Sequence, residues 1–193
     1  MGAGILPVTV HNGKIYFLFG KENEYEENPG WSDFGGGSES KEGFLMTAVR
    51  EAGEEFTGFL GSDKDVKRLL AKYGTYNIDN KAVGYGTYRM HIFPMEYNEL
   101  LPLYYNNNQR FLQKRLDPNV IKKSTIFEKA EIKWICIDEL KKMMPKFRHY
   151  FRVVIDKILD NRVEIDAFAR KALSNASRNN SNSNNKTRKR AIK

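Results

Sequence analysis

The ten residues VREAGEEFTG, Val49 to Gly58, place Glu51, Glu54 and Glu55 within one and a half turns of a helix, beside a single Arg50. Like charges at helical spacing repel, and a mid-helix glycine such as Gly53 weakens a helix by about 1 kcal/mol relative to Ala. The positions four residues on from the three acids are Glu55, Gly58 and Phe59, so no lysine relieves them. Most charged helix faces are simply solvated. Here, however, a triple glycine, Gly35–Gly37, precedes the acids, and glycine backbone lets a ligand approach closely. Carboxylates at i, i+3 and i+4 converge on one point. Such hard oxygen donors suit Mg²⁺ or Mn²⁺, which take a few carboxylates and share the rest of their shell with water and phosphate. The chemistry expected of the cluster is to hold a pyrophosphate, neutralise its charge and activate a water.

Elements on either side must position this segment. ILPVTV and KIYFLF are β-branched and aromatic runs joined by HNGK, and Asn12-Gly13 is a strong hairpin dipeptide. ENEYEENPGW reads as a loop, and WSDFGGG as a short strand ending in glycines. A helix is expected from about Gly43 to Thr57, with Leu45, Val49, Ala52 and Phe56 as its core stripe and the three glutamates on the opposite side. Ser62 or Asp63 would cap a second helix through VKRLLAKY. KAVGYGTYRMHIFPM reads as one or two strands, with Tyr85, Tyr88 and Phe93 available to the core or to a stacked base. Residues 97–126 form an insert, helical around Gln109–Leu116. EIKWICI is a strand leading into the short helix DELKKMM, and residues 146–173 are helical. Strands mixed with helices in this order favour an α/β or α+β sandwich.

The chain has 193 residues and a net charge of +8. Its last twenty residues, Ser174 to Lys193, hold six basic side chains and no acid, so residues 1–173 carry 26 basic against 24 acidic groups and are close to neutral. This Asn/Ser-rich tail has too little apolar surface to offset its ordering entropy, and is expected to be disordered. Its KTRKR cluster would serve as a nuclear address, an RNA contact or a solubilising end. A single cysteine, Cys136, in an apolar run reads as a core thiol and excludes a disulfide framework. No apolar run is long enough for a membrane span, and the N-terminus lacks the pattern of a signal peptide. These features lead to an expectation of a soluble protein of a reducing, cytoplasmic compartment. His11, His91 and His149 have no second histidine at ligand spacing, which argues against a histidine-metal site.

GGSESKEGFLMTAVREAGEEFTG, Gly36 to Gly58, resembles the Nudix box: Gly, five residues, Glu, seven residues, Arg-Glu, an apolar residue, any residue, Glu-Glu, any residue, Gly, apolar. Gly36, Glu42, Arg50, Glu51, Ala52, Glu54 and Glu55 fall in place. Thr57 stands where the family has glycine, and Gly58 where it has an apolar residue, which leads to an expectation of a later or different helix exit. The opening hairpin and WICIDEL also look like Nudix segments, extending the resemblance over roughly Gly4 to Met144. AGILPV and WSDFGGG are similar to a subset associated with large DNA viruses and protists, a source that would place the chain in a host cytoplasm.

The resemblance implies a Nudix-like α/β/α sandwich with a mixed sheet, filling residues 1–173, and hydrolysis of a nucleoside diphosphate linked to another group X. It implies Glu51, Glu54 and Glu55 as ligands of Mg²⁺ or Mn²⁺, with the Gly36 carbonyl, and Glu42 in support. Arg50 would orient the glutamates. The general base is a glutamate of the box, or Glu128 or Glu131 before the Trp strand. Lys21 and Glu22 either contact phosphate or form a surface pair. Two alternatives stand beside this reading. One is hydrolysis of an mRNA 5′ cap with the basic tail gripping RNA. The other is a non-catalytic nucleotide-binding protein, which the intact box disfavours. Neither X nor the oligomeric state is legible from these residues.

Overall fold

The computed structural model describes residues 1–82, 86–124 and 127–175. Seven strands form a single mixed sheet: β1 (Gly2–His11), β2 (Lys14–Glu22), β3 (Trp31–Ser32), β4 (Phe34–Gly37), β5 (Tyr76–Ala82), β6 (Gly86–Pro94) and β7 (Lys129–Cys136). The path runs β3-β2-β1-β6-β5, with β4 added to β1 and β7 to β2. Only β1 and β6 run parallel; the other pairs are antiparallel. Asn12 and Gly13, at φ of 48° and 77°, make the two-residue turn between β1 and β2 that their sequence predicts.

Strand alternation sends side chains to two cores. Ala3, Ile5, Leu18 and Ile132 face one layer, made of α1 (Phe44–Glu55), α2 (Asp63–Tyr73) and α3 (Leu100–Gln113). Leu6, Val8, Phe17 and Phe19 face the other, where α6 (Arg152–Asp160) and a helix over 162–175, α7, pack. The short helices α4 (Pro118–Lys123) and α5 (Ile137–Met143) flank β7. The expected α/β/α sandwich with a mixed sheet is thus the observed architecture.

Two expectations need correction. Leu45 is half exposed, whereas Thr47, Ala48, Val49, Glu51, Ala52, Glu55 and Phe56 are buried. The inward face of α1 is therefore rotated toward the glutamates, and Glu51 and Glu55 lie on it instead of opposite to it. The helix ends at Glu55, and Thr57 takes a left-handed conformation, φ 49°, of the kind that favours glycine. Finally, α3 begins at Leu100, well before Gln109. Pro102 sits in its first turn, where no intrahelical N–H is needed. Asn106, which argues against a helix interior, is held by Ile132 of β7: its Nδ2 donates to the carbonyl at 3.0 Å and its Oδ1 accepts the N–H at 2.8 Å. Tyr85 and the tail from residue 176 lie outside the described residues, and α7 takes up Ser174 and Asn175, read from sequence as the start of the tail.

Candidate active site

Two buried or half-buried cations divide the acids between them. The first is Arg50. Its Nε donates to Glu42 Oε1 at 3.0 Å, Nη2 to the Gly37 carbonyl at 2.9 Å, and Nη1 to Glu54 Oε2 at 3.1 Å. Nη2 also lies 2.9 Å from Glu51 Oε1. One guanidinium thus ties β4, the loop after it and α1 together, using the planar fork that suits several carboxylates at once. Glu42 accepts further bonds from the Glu39 N–H and the Thr47 hydroxyl, both at 3.0 Å. The Arg50 contact above all holds its carboxyl down at about 2.

The second cation, Lys129, is missed by sequence reasoning. It is fully buried, and its ammonium donates to Glu22 Oε1, to Ser32 Oγ at 3.0 Å and to Glu55 Oε1 at 3.1 Å. A register shift between Lys21 and Glu22 creates this arrangement. Lys21 faces Glu131, and the next residue, Glu22, pairs with Lys129, so that Ala130 is skipped. The bulge aims Glu22 and Lys129 together toward α1. Gly20 gives the lysine stem its space, because a Cβ there would stand 2.9 Å from Lys129 Cδ. Arg148 Nη1, 2.8 Å from Glu22 Oε1, completes the network. No local pattern announces these contacts, since a one-residue slip in strand pairing leaves no trace in either strand alone.

The predicted residues therefore separate into groups. Glu51, Glu54, Glu55, Gly36, Glu42 and Arg50 are assembled around the inner face of α1. Gly36 is packed against Glu51 so tightly that a Cβ would lie 2.6 Å from Oε1 and 2.9 Å from Oε2. Glu128 is half-buried next to Lys129; burial, and then repulsion from Glu51, raise its carboxyl above the ordinary range. Burial likewise raises Glu51, against the pull of Arg50. Lys21 and Glu131 pair with each other at 3.9 Å, both about half exposed. Glu22 is no surface residue: it is buried against Lys129, Ser32 and Arg148.

The side chains present fit a divalent cation. Glu55 Oε2 is buried without a partner while Oε1 is held by Lys129, and Gly36 leaves the Glu51 carboxylate room that any larger residue would fill. As they stand, no three His, Cys, Asp or Glu side chains among the described residues are drawn together tightly enough to hold a metal.

On the other side of the glycine strand lies a cleft of about 730 Å³, lined by residues that include Gly35–Gly37, Tyr88, Tyr150 and Val153. Gly36 therefore borders both the glutamates and the cleft. The ring of Tyr150, half exposed, has the Arg148 guanidinium 5.0 Å from its centroid. Beneath the cleft, the Tyr88 hydroxyl donates to buried Asp33 Oδ2 at 2.9 Å. Burial pushes the Asp33 carboxyl up to about 7, with the Tyr88 bond and Lys129 acting in the opposite direction.

Among solved structures, the chain is similar to a Nudix hydrolase from M. smegmatis, RenU, at 16% identity and a TM-score of 0.50, covering 85% of this chain and 86% of that one. The chain has the Nudix fold. A second structure with this fold, a bifunctional NMN adenylyltransferase/ADP ribose pyrophosphatase from Francisella tularensis, is 15% identical at a TM-score of 0.50, covering 82% of this chain and 40% of that one. Among curated proteins, the uncharacterised protein L534 of Acanthamoeba polyphaga mimivirus is 43% identical over 56 residues. That match spans 28% of this chain and 18% of the relative, less than a fifth of its length. No family model matches the chain. On the Nudix fold seen here, α1 carries the box glutamates and β4 carries the glycines that meet them. Among the described residues, no helix is long and apolar enough to cross a membrane.

Proposed function

We propose that this chain is a Nudix pyrophosphohydrolase, dependent on Mg²⁺ or Mn²⁺, that cleaves a nucleoside diphosphate linked to another group. The observation that carries this reading is the seating of Glu51 on Gly36, with Glu54 and Glu55 beside it on the same helix and a nucleotide-sized cleft on the far side of that glycine. Glu51, Glu54 and the free oxygen of Glu55, with the Gly36 carbonyl, are the donors for a divalent ion. When bound, the ion supplies positive charge to the pyrophosphate and acidity to a water.

The remaining work falls to the chain's own side chains. Arg50 ties Glu51 and Glu54 to the Gly37 carbonyl of β4. Glu128, half-buried and raised by burial and by Glu51, has the character of a base for the attacking water. Glu131 is turned to Lys21 and ranks below it. Tyr150 offers an aromatic face at the cleft for the base of the nucleotide. Glu22, enclosed by cations, acts as an anchor of the site and does not contact phosphate.

The test is a substrate panel of dinucleoside polyphosphates, nucleotide sugars, NADH, oxidised dNTPs and capped RNA, with Mg²⁺ or Mn²⁺. Wild type releases nucleoside monophosphate or phosphate from at least one of them, and Glu54→Gln with Glu55→Gln does not. Undiminished turnover in the double variant refutes the reading.

A further inference from the structure

Lys129 stands apart from the residues used above. It is a fully buried lysine whose three N–H donors are all engaged, by Glu22, Ser32 and Glu55. A lysine in such a position is costly unless its charge is matched. The fold makes space for it through Gly20 and aims it through the bulge in β2. Burial works against its charge, yet Glu55 and Glu22 hold the ammonium in its charged form. It grips Glu55 by one oxygen only, and the other, Oε2, stays buried without a partner.

We infer that Lys129 is a positioning residue that acts as a resident cation of the carboxylate cluster. It anchors Glu55 by Oε1, presents Oε2 to the ion, and takes the place of a second divalent ion between Glu55 and Glu22. The wild-type cluster then accepts one divalent ion per chain. The charges agree with this. Glu22, Glu39, Glu42, Glu51, Glu54 and Glu55 are linked by ion pairs to Arg50, Lys129 and Arg148. Six carboxylates against three cations leave three negative charges, of which one divalent ion balances two. Replacing Lys129 by a neutral side chain would leave four, enough to draw a further ion or to hold the first more tightly. The inference rests on the reading of the box as a metal site and adds to it the number of ions and the residue that sets it.

The experiment counts Mn²⁺ on the full chain without nucleotide, by the electron paramagnetic resonance signal of free Mn²⁺ and by calorimetric titration. Wild type is expected to bind one ion. Lys129→Met is expected to bind a second, or the first at least tenfold more tightly, and its melting temperature should rise more on adding Mn²⁺ than that of wild type. A residue with a merely structural role would weaken Mn²⁺ binding when replaced. Where Lys129→Met does not fold, Lys129→Gln removes the charge while keeping an amide N–H for Ser32 and Glu55, and the same gain is expected there. Two or more ions on wild type, or unchanged or weaker binding by the foldable variant, overturns the inference while leaving metal-dependent hydrolysis standing. Wild type that binds no Mn²⁺ overturns both.

Discussion

Thr57 should be the least comfortable residue near the site, and replacing it with glycine should stabilise the protein. Its φ of 49° puts a β-branched side chain in the left-handed region, where an L-residue is disfavoured by about 1–2 kcal/mol. Its hydroxyl is buried with no hydrogen-bond partner, a situation that costs about 1–3 kcal/mol for a polar group. Against these gains, Thr57→Gly gives up burial of one methyl, about 0.8 kcal/mol, and adds unfolded-state entropy of roughly 0.5–1 kcal/mol. At mid-range the balance favours the glycine by about 2 kcal/mol, or roughly 4–8 °C in melting temperature for a chain of this size. Calorimetry and urea unfolding of Thr57→Gly measure it. Thr57→Val separates the two causes, because it removes the hydroxyl and keeps the backbone penalty. A neutral or destabilised Thr57→Gly would refute the argument, and an equal gain in Thr57→Val would move it from the backbone to the hydroxyl. Because the helix already exits where a glycine would end it, Mn²⁺ affinity should not change in Thr57→Gly.

Two further outcomes follow from the glycine strand and its surroundings. Gly36→Ala places a methyl 2.6 Å from Glu51 Oε1, so it should lower hydrolysis at least a hundredfold and weaken Mn²⁺ binding, while circular dichroism stays that of wild type. Asp33, raised to about 7 from its unfolded value near 4, keeps its proton in the folded chain over a range where the unfolded chain has lost it. Its contribution to stability is therefore full below about pH 4 and lost as pH rises to about 7. Asp33→Asn should remove that loss and be more stable than wild type at pH 8 by up to a few kcal/mol, with the difference shrinking toward pH 4. Chemical unfolding of both proteins at the two pH values reads it directly.

The sequence makes some of this visible for identifiable reasons. Asn12-Gly13 predicts a turn because few dipeptides accept two positive φ angles, and the structure has both. Ser62 with Asp65 forms the capping box that starts α2, a signal contained within four residues. The order Gly36, Glu42, Arg50, Glu51, Glu54, Glu55 is equally local, and these residues do assemble. Gly53, without an assigned role in the sequence, lies beside the start of α2, where a Cβ would stand 3.3 Å from Asp63 Oδ1. Hydrophobic periodicity misplaces the inward face of α1 because it treats glutamate as outward-facing, and here two glutamates point in. Lys129, Ser32, Asp33 and Arg148 carry no local signal, because their roles arise only when β2, β3, β7 and the segment before α6 meet. Their partners lie up to 126 residues away, between Arg148 and Glu22, and one of the contacts depends on a single-residue slip.

In the proposed reaction the box glutamates direct water onto phosphorus. This is tested most directly by running the reaction in ¹⁸O-labelled water on whichever substrate the panel identifies and locating the label by mass spectrometry. One ¹⁸O is expected on a phosphate group of one product, with no labelled product from Glu54→Gln with Glu55→Gln. Label on a carbon-bound oxygen, or an unchanged yield of labelled phosphate from that variant, would contradict it.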